Sequence, residues 1–256
     1  MTAIVYQKKG SIGYITINRP EAMNALNSEV RQGLEEALIQ IRDDVEVRAA
    51  ILTSAGDKAF SVGADLKQRE AKKPTSDSNK LTYFDLPASL GVWTPIIAAI
   101  NGYCLGAGFF LALSCDIRIA SENSMFGIPE VALGIAPAGG VTQWLPRLVP
   151  AGLALKLLLT GERFSASDAY RLGLVTEVVP KDDLISAAER IAGQISNNGP
   201  LAVKAVKRAF WEGRRYGMDE GLRLERELNE ATRQSEDVKE AKEAFIAKRK
   251  PVFKGK

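Results

Sequence analysis

Two turns rich in glycine and alanine, Ser61-Val62-Gly63-Ala64-Asp65-Leu66 and Asn101-Gly102-Tyr103-Cys104-Leu105-Gly106-Ala107-Gly108, precede Pro129-Glu130 in a chain of 256 residues that contains no histidine. Side chains this small let an oxygen approach main-chain N–H groups closely, so two such turns could grip one carbonyl while a single carboxylate moves protons. Without histidine, Ser-His and Cys-His pairs and an imidazole base are excluded. Each feature also has a plainer local account. Gly63 fits ordinary strand-to-helix turn geometry. Gly106-Ala107-Gly108 begins a G-x-G, but the third glycine of a dinucleotide fingerprint is missing at Leu111. Glu130 can be a surface acid at a helix start, whereas an apolar setting among Ile128, Val131 and Ala132 would make it a better base toward a weakly acidic carbon.

The elements around these residues follow from periodicity. Residues 4–7 and 12–17 are β-rich runs separated by Lys8-Lys9-Gly10-Ser11 and predict a hairpin that ends at Asn18-Arg19-Pro20. Asn27 is a plausible N-cap for a helix whose apolar face is Val30, Leu34, Ala37, Leu38 and Ile41, and residues 47–53 then read as a buried strand. Residues 69–90 are polar and lack one clear period, which predicts an irregular excursion near the site. Strands are expected at 95–100 and 116–120, with a short apolar helix at 106–114 between them. That order puts Ala107 and Gly108 at a helix N-terminus, where free N–H groups favour negative charge. After Glu130 the pattern is a turn region with Pro137 and Gly139-Gly140, helices at 142–148, 151–159 and 165–172, a strand at 174–179, then helices at 183–196, 200–212, 219–233 and 237–249. Ser165 with Asp168 resembles a capping box.

With 46% hydrophobic residues the chain can bury a full core. Its 34 Lys and Arg against 31 Asp and Glu leave a net charge of +3, a balance that makes a nucleic-acid partner unexpected and suits a small anionic ligand met locally. Cys104 and Cys115 make neither a disulfide framework nor a metal site, so no metal is expected and a reducing compartment is. MTAIVYQKKG has no signal-peptide run and no apolar stretch approaches a membrane span, which predicts a cytoplasmic protein.

Taken together, the motifs resemble the crotonase, or enoyl-CoA hydratase/isomerase, superfamily nearly end to end. They are Asn18-Arg19-Pro20-Glu21-Ala22-Met23-Asn24-Ala25-Leu26, Lys58-Ala59-Phe60 leading into the first turn, Ile100 leading into the second, Phe126-Gly127-Ile128-Pro129-Glu130-Val131, Gly134-Ile135-Ala136-Pro137-Ala138-Gly139-Gly140, Thr160-Gly161-Glu162 and Phe245-Ile246-Ala247-Lys248-Arg249-Lys250-Pro251-Val252-Phe253. The resemblance implies an α/β fold, a ββα superhelix or spiral over residues 1–196, with a C-terminal helical trimerisation lobe at 197–256. Assembly would be a homotrimer or a hexamer made of two trimers. The ligand would be an acyl-CoA thioester, coenzyme A being part of the substrate and no separate cofactor being needed. The N–H groups of Ala64 and Ala107 would hold the thioester oxygen and stabilise an enolate, with Glu130 as acid and base. Backbone around Ala22, Met23, Val62 and Leu66 would hold the coenzyme, and Phe245 and Lys248 match positions that reach it from a neighbouring subunit. Lys248-Arg249-Lys250 reads equally as a solvated helix end.

One departure bears on the reaction. Where the family's hydratases carry a second glutamate, this chain has Phe110. Adding water to a double bond benefits from two carboxylates, one orienting the water and one managing the proton, whereas a lone carboxylate suffices to move a proton between two carbons of a thioester. Phe110 would also line the pocket and keep it drier. Enoyl-CoA double-bond isomerisation is therefore the first expectation. The alternatives are an atypical 2-enoyl-CoA hydratase, a malonyl-CoA-type decarboxylase and a non-catalytic acyl-CoA-binding relative. Ala138 stands where dienoyl isomerases and hydroxyacyl-thioester hydrolases of the family place an aspartate, and dehalogenase chemistry lacks its histidine.

Overall fold

Strands β1 (Ile4–Lys9) and β2 (Ile12–Ile17) pair antiparallel, as the hairpin pattern predicts, in a computed structural model that describes residues 2–65 and 86–256. Most of the expected excursion at 69–90, and Leu66, lie outside the described residues. Helix α1 (Ser28–Asp43) starts where the Asn27 side chain accepts the Val30 N–H at 2.9 Å, and it buries Val30, Leu34, Ala37, Leu38 and Ile41, the five residues of the predicted face.

The hairpin opens a six-stranded sheet in the order β1-β2-β3-β5-β7-β10, where β3 is Ala49–Ser54, β5 Ile96–Ile100, β7 Ile117–Ser121 and β10 Glu177–Val179. All pairings after the first are parallel. Alternation along these strands divides two cores. Ala50, Leu52, Ala98, Ile100 and Ala120 face the main core, while Ala49, Ile51, Ile97, Ala99 and Ile119 face helix α7 (Leu184–Ser196), which meets them with Leu184, Ala187, Ala188 and Ala192. A parallel sheet covered on both faces reads as continuous apolar sequence, which is why Ile96–Ile100 is fully buried.

A second, four-stranded sheet runs β4-β6-β8-β9, with β4 Ala59–Ser61, β6 Tyr103–Leu105, β8 Met125–Gly127 and β9 Arg163–Ser165. The first three are parallel and β9 is antiparallel to β8. The sequence pattern reads β4 and β6 only as turns, gives no element at β8 or β9, and draws β10 several residues too long. Three residues hold less than two periods of alternation, so strands this short leave no periodic trace. Each step β3→β4, β5→β6 and β7→β8 carries the chain from the large sheet to the small one, which makes the expected ββα spiral. Helices α2 (Leu86–Ser89), α3 (Ala107–Leu113), α4 (Val141–Leu148), α5 (Ala151–Thr160) and α6 (Ala166–Arg171) fill the returns.

Three further helices close the chain, α8 (Pro200–Gly213), α9 (Met218–Arg233) and α10 (Glu236–Ile246). A buried polar clasp fixes α8 to the strands. Lys207 Nζ, on a residue only 8% exposed, meets Asp116 Oδ2 at 2.8 Å and donates to Thr94 O at 2.9 Å. Trp211 Nε1 donates to Asp116 Oδ1 at 2.7 Å, and Asp116 Oδ2 also accepts the Ile96 N–H at 2.7 Å. Among the described residues no helix is long and apolar enough to cross a membrane.

Candidate active site

The first turn leaves the C-terminal end of β4 and is tied to the Asn18–Leu26 loop. Leu26 N donates to Gly63 O at 2.8 Å and Asp65 N to Leu26 O at 3.1 Å, a parallel bridge centred on Leu26 and Ala64. In that register the two residues flanking Ala64 make the bonds, so the N–H of Ala64 itself points away from Leu26. Gly63 has φ +94°, and a β-carbon there would fall 2.9 Å from Leu105 O and 3.2 Å from Ala107 N. The two turns therefore pack backbone against backbone, an approach that only glycine permits.

Ala107, the first residue of α3, leads the second turn into the helix. Its N–H precedes the first helical bond, Phe110 N to Gly106 O at 3.1 Å, and so belongs to the donors a helix leaves unused at its start. Gly106 adopts φ 50° and donates to Gly127 O at 2.9 Å, while Gly108 lies so close to β4 that a β-carbon would meet Ser61 O at 2.6 Å. Ser61 is fully buried and its Oγ accepts the Gly63 N–H at 3.2 Å, so the residue on which Gly108 packs also braces the first turn.

Glu130 enters from the third parallel strand. Its 3-10 turn, Pro129–Leu133, follows β8 and ends at Gly134, whose φ is 70°. The half-buried Glu130 side chain points back at the second turn, so that a β-carbon on Gly106 would fall 2.8 Å from Glu130 Oε1. Ala64, Ala107 and Glu130 thus follow the C-terminal ends of the adjacent parallel strands β4, β6 and β8, the end of an open α/β sheet where ligands are bound. Two backbone donors and one carboxylate in this arrangement can stabilise a developing oxyanion and move a proton beside it.

The remaining expected residues divide. Ala22 and Met23 join Val62 at the same edge, since Val62 N donates to Met23 O at 3.2 Å. Phe110 is 5% exposed and lies one helical turn beyond Ala107, packed under Gly139. Leu66 is outside the described residues. Phe245 and Lys248 stand apart, at the exposed end of α10. Burial pushes the Cys104 thiol well up and the Cys115 thiol to about 12, so neither serves as a thiolate.

Sequence reasoning passed over the residues that hold the first turn. Arg19 Nη1 donates to Ala25 O at 2.6 Å and meets Asp65 Oδ2 at 3.1 Å, and Nη2 reaches the same oxygen at 3.2 Å. Asn24, in left-handed backbone at φ 55°, accepts the Arg19 N–H and donates to Ala55 O and Ala59 O. The available signal was an arginine in the first motif and an aspartate in the second, both in turns where a paired charge stabilises backbone shape.

Comparison with known proteins bears on the whole chain. Residues 7–256 match the family model described as enoyl-CoA hydratase/isomerase. The short-chain-enoyl-CoA hydratase of Clostridium acetobutylicum is 42% identical over 254 residues, covering 96% of this chain and 95% of that protein. The (E)-benzylidenesuccinyl-CoA hydratase of Thauera aromatica is 39% identical over 256 residues, covering 98% and 99%. The crystal structure of an enoyl-CoA hydratase from Bacillus anthracis superposes with a TM-score of 0.93 at 37% identity, over 99% of this chain and 100% of that one. With its ββα spiral and the ordered motifs at the strand ends, the chain belongs to the enoyl-CoA hydratase/isomerase family, the crotonase superfamily.

Proposed function

We propose that this chain isomerises the double bond of an enoyl-CoA thioester. The N–H groups of Ala64 and Ala107 hold the thioester oxygen, and Glu130 takes a proton from C2 of a 3-enoyl group. The electron pair delocalises over a dienolate whose oxygen faces the two donors, and Glu130 returns the proton at C4, leaving the 2-enoyl thioester. Losing one such donor costs about 2.7–4 kcal/mol of transition-state stabilisation, so the two turns carry as much of the rate as the carboxylate. The observation that carries the reading is the pairing of one carboxylate at Gly106 with a buried Phe110 beyond Ala107. The relatives favour a second reading, because those compared are named hydratases; in it Glu130 alone activates water for addition at C3.

Incubating saturated, 2-enoyl and 3-enoyl CoA thioesters in deuterated water separates the two. Isomerisation moves the double bond and deuterates C4 or C2, hydration adds water, and a bare enolate site only exchanges C2. Fast hydration of 2-enoyl substrates that survives Glu130→Gln would overturn both the reaction and the role of Glu130.

Coenzyme binding is proposed at Ala22, Met23, Val62 and Leu66, with Phe245 and Lys248 supplied by a neighbouring subunit of a trimer or hexamer built through residues 197–256. Phe245 is 85% exposed in the single chain, as a residue held for a neighbour would be. Phe245→Ala and Lys248→Ala should raise KM for the thioester with kcat kept, and light scattering should give three or six copies; a monomer that binds the thioester normally would remove the shared site.

A further inference from the structure

The hold that the first turn offers an oxygen comes from one N–H, that of Ala64, and little sheet aims it. Strand β4 pairs with β6 at Ala59↔Tyr103 and Ser61↔Cys104, two steps along one strand against one along the other, so the ladder is bulged and ends before Ala64. Beyond it the turn meets the Asn18–Leu26 loop through the isolated parallel bridge of Leu26 with Ala64. The Gly63 carbonyl that accepts the Leu26 N–H belongs to the same rigid peptide as the Ala64 N–H and points the opposite way. The direction of the Ala64 donor is therefore set by where Leu26 and its neighbours sit.

Arg19 ties together the residues that flank this bridge. Its Nη1 donates to the carbonyl of Ala25, one residue before Leu26, at 2.6 Å, and meets Oδ2 of Asp65, one residue after Ala64, at 3.1 Å. Nη2 reaches the same carboxylate oxygen at 3.2 Å. The two side chains are only 16% and 12% exposed, so solvent screens the pair little. A planar guanidinium can serve the loop carbonyl and the turn carboxylate at once in one fixed geometry, which an ammonium cannot. Asn24 accepts the Arg19 N–H at 2.9 Å and donates to Ala59 O at 2.7 Å, so the loop that carries the guanidinium is itself bound to β4.

On the basis of the function proposed above, we infer that Arg19 and Asp65 are positioning residues for the reaction, a pair that aims the Ala64 N–H at the thioester oxygen and acts through that donor. Its effect falls on the transition state, because a donor turned aside loses most where the negative charge on the oxygen is largest. Binding of the thioester through the rest of the site is kept.

The test compares wild type with Arg19→Met, Asp65→Asn, the two combined, and Arg19→Lys. Steady-state kinetics on 3-enoyl and 2-enoyl CoA thioesters is run beside the ¹³C resonance of bound [1-¹³C]butyryl-CoA. Each of the first two variants should lower kcat by about 10–100-fold with KM within about threefold, the scale of a small misplacement at a reacting atom. The combined variant should lose about as much as the worse single one, since both remove the same tie. Arg19→Lys, which keeps the charge and loses the fork, should fall between these and wild type. The bound carbonyl, shifted downfield by its donors in wild type, should move back toward its free position in step with kcat. Where Arg19→Met fails to fold, Asp65→Asn and Arg19→Lys carry the comparison. Folded variants with wild-type kcat and an unmoved carbonyl overturn the proposal, whatever they lose in thermal stability. A wild type that turns over no thioester removes the reaction proposed above, while the carbonyl shift still decides the role of the pair.

Discussion

The two sheets of this molecule divide its work. The six-stranded sheet is covered on both faces by apolar side chains and carries none of the candidate reactive groups, whereas the four-stranded sheet is built from three-residue strands and carries all of them at one end. Length goes with stability, because each added residue of a doubly covered strand buries apolar surface. Shortness goes with position: a strand of three residues adds little burial but fixes where the following turn begins.

That contrast can be broken by substitution. Glu130→Gln, next to the small sheet, should lower kcat on enoyl thioesters by about 10²–10⁴ with thermal stability close to wild type, measured by steady-state kinetics and calorimetry. Gly63→Ala is next, since a β-carbon must displace Leu105 O or Ala107 N from a backbone already at φ +94°; kcat should fall by about 10²–10³ while saturated acyl-CoA still binds. Ile97→Ala in the large sheet should do the reverse, costing about 2–5 kcal/mol in urea unfolding with kcat of the folded protein unchanged. If Ile97→Ala lowered kcat as steeply as Gly63→Ala, the division between the sheets would be wrong.

The smallest effect is at the edge of the small sheet. Ser165 and Asp168 form the predicted capping box at the start of α6, and Ser165, with Arg171, holds the Asp168 carboxyl down to about 2. A carboxyl depressed in the folded state contributes stability above its unfolded value near 4 and loses it as pH falls toward 2. The Asp168 side chain is more than a third exposed and solvent screens its pairing with Arg171, so Asp168→Asn should cost at most about 1 kcal/mol at neutral pH, and its gap from wild type should close between about pH 4 and pH 2 in acid-unfolding curves.

Legibility in the sequence follows the same line. The α1 face with its Asn27 cap and the hairpin show as periodicity, because burial on one face of a regular element repeats, and the buried strands β3, β5 and β7 show as continuous apolar runs, because both their faces are covered. The strands β4, β6, β8 and β9 do not, and neither does the Arg19–Asp65 pair, whose partners are 46 residues apart. Ala64, Ala107 and Glu130 were legible as positions only through ordered motifs; taken singly, each admits a plain structural account. Why they meet became physical only with Gly63 against Ala107 and Gly106 against Glu130.

The parallel run β4-β6-β8 has a consequence for how such a chain can change. Adjacent strands are about 4.8 Å apart whatever chain connects them. The two donors and the carboxylate are spaced by that hydrogen-bond ruler and not by the 43 residues from Ala64 to Ala107 or the 23 from Ala107 to Glu130. Insertions or deletions between the strands alter what surrounds these three candidate groups and leave the distances among them intact, so the surroundings of the proposed site can be rebuilt while its frame stays fixed.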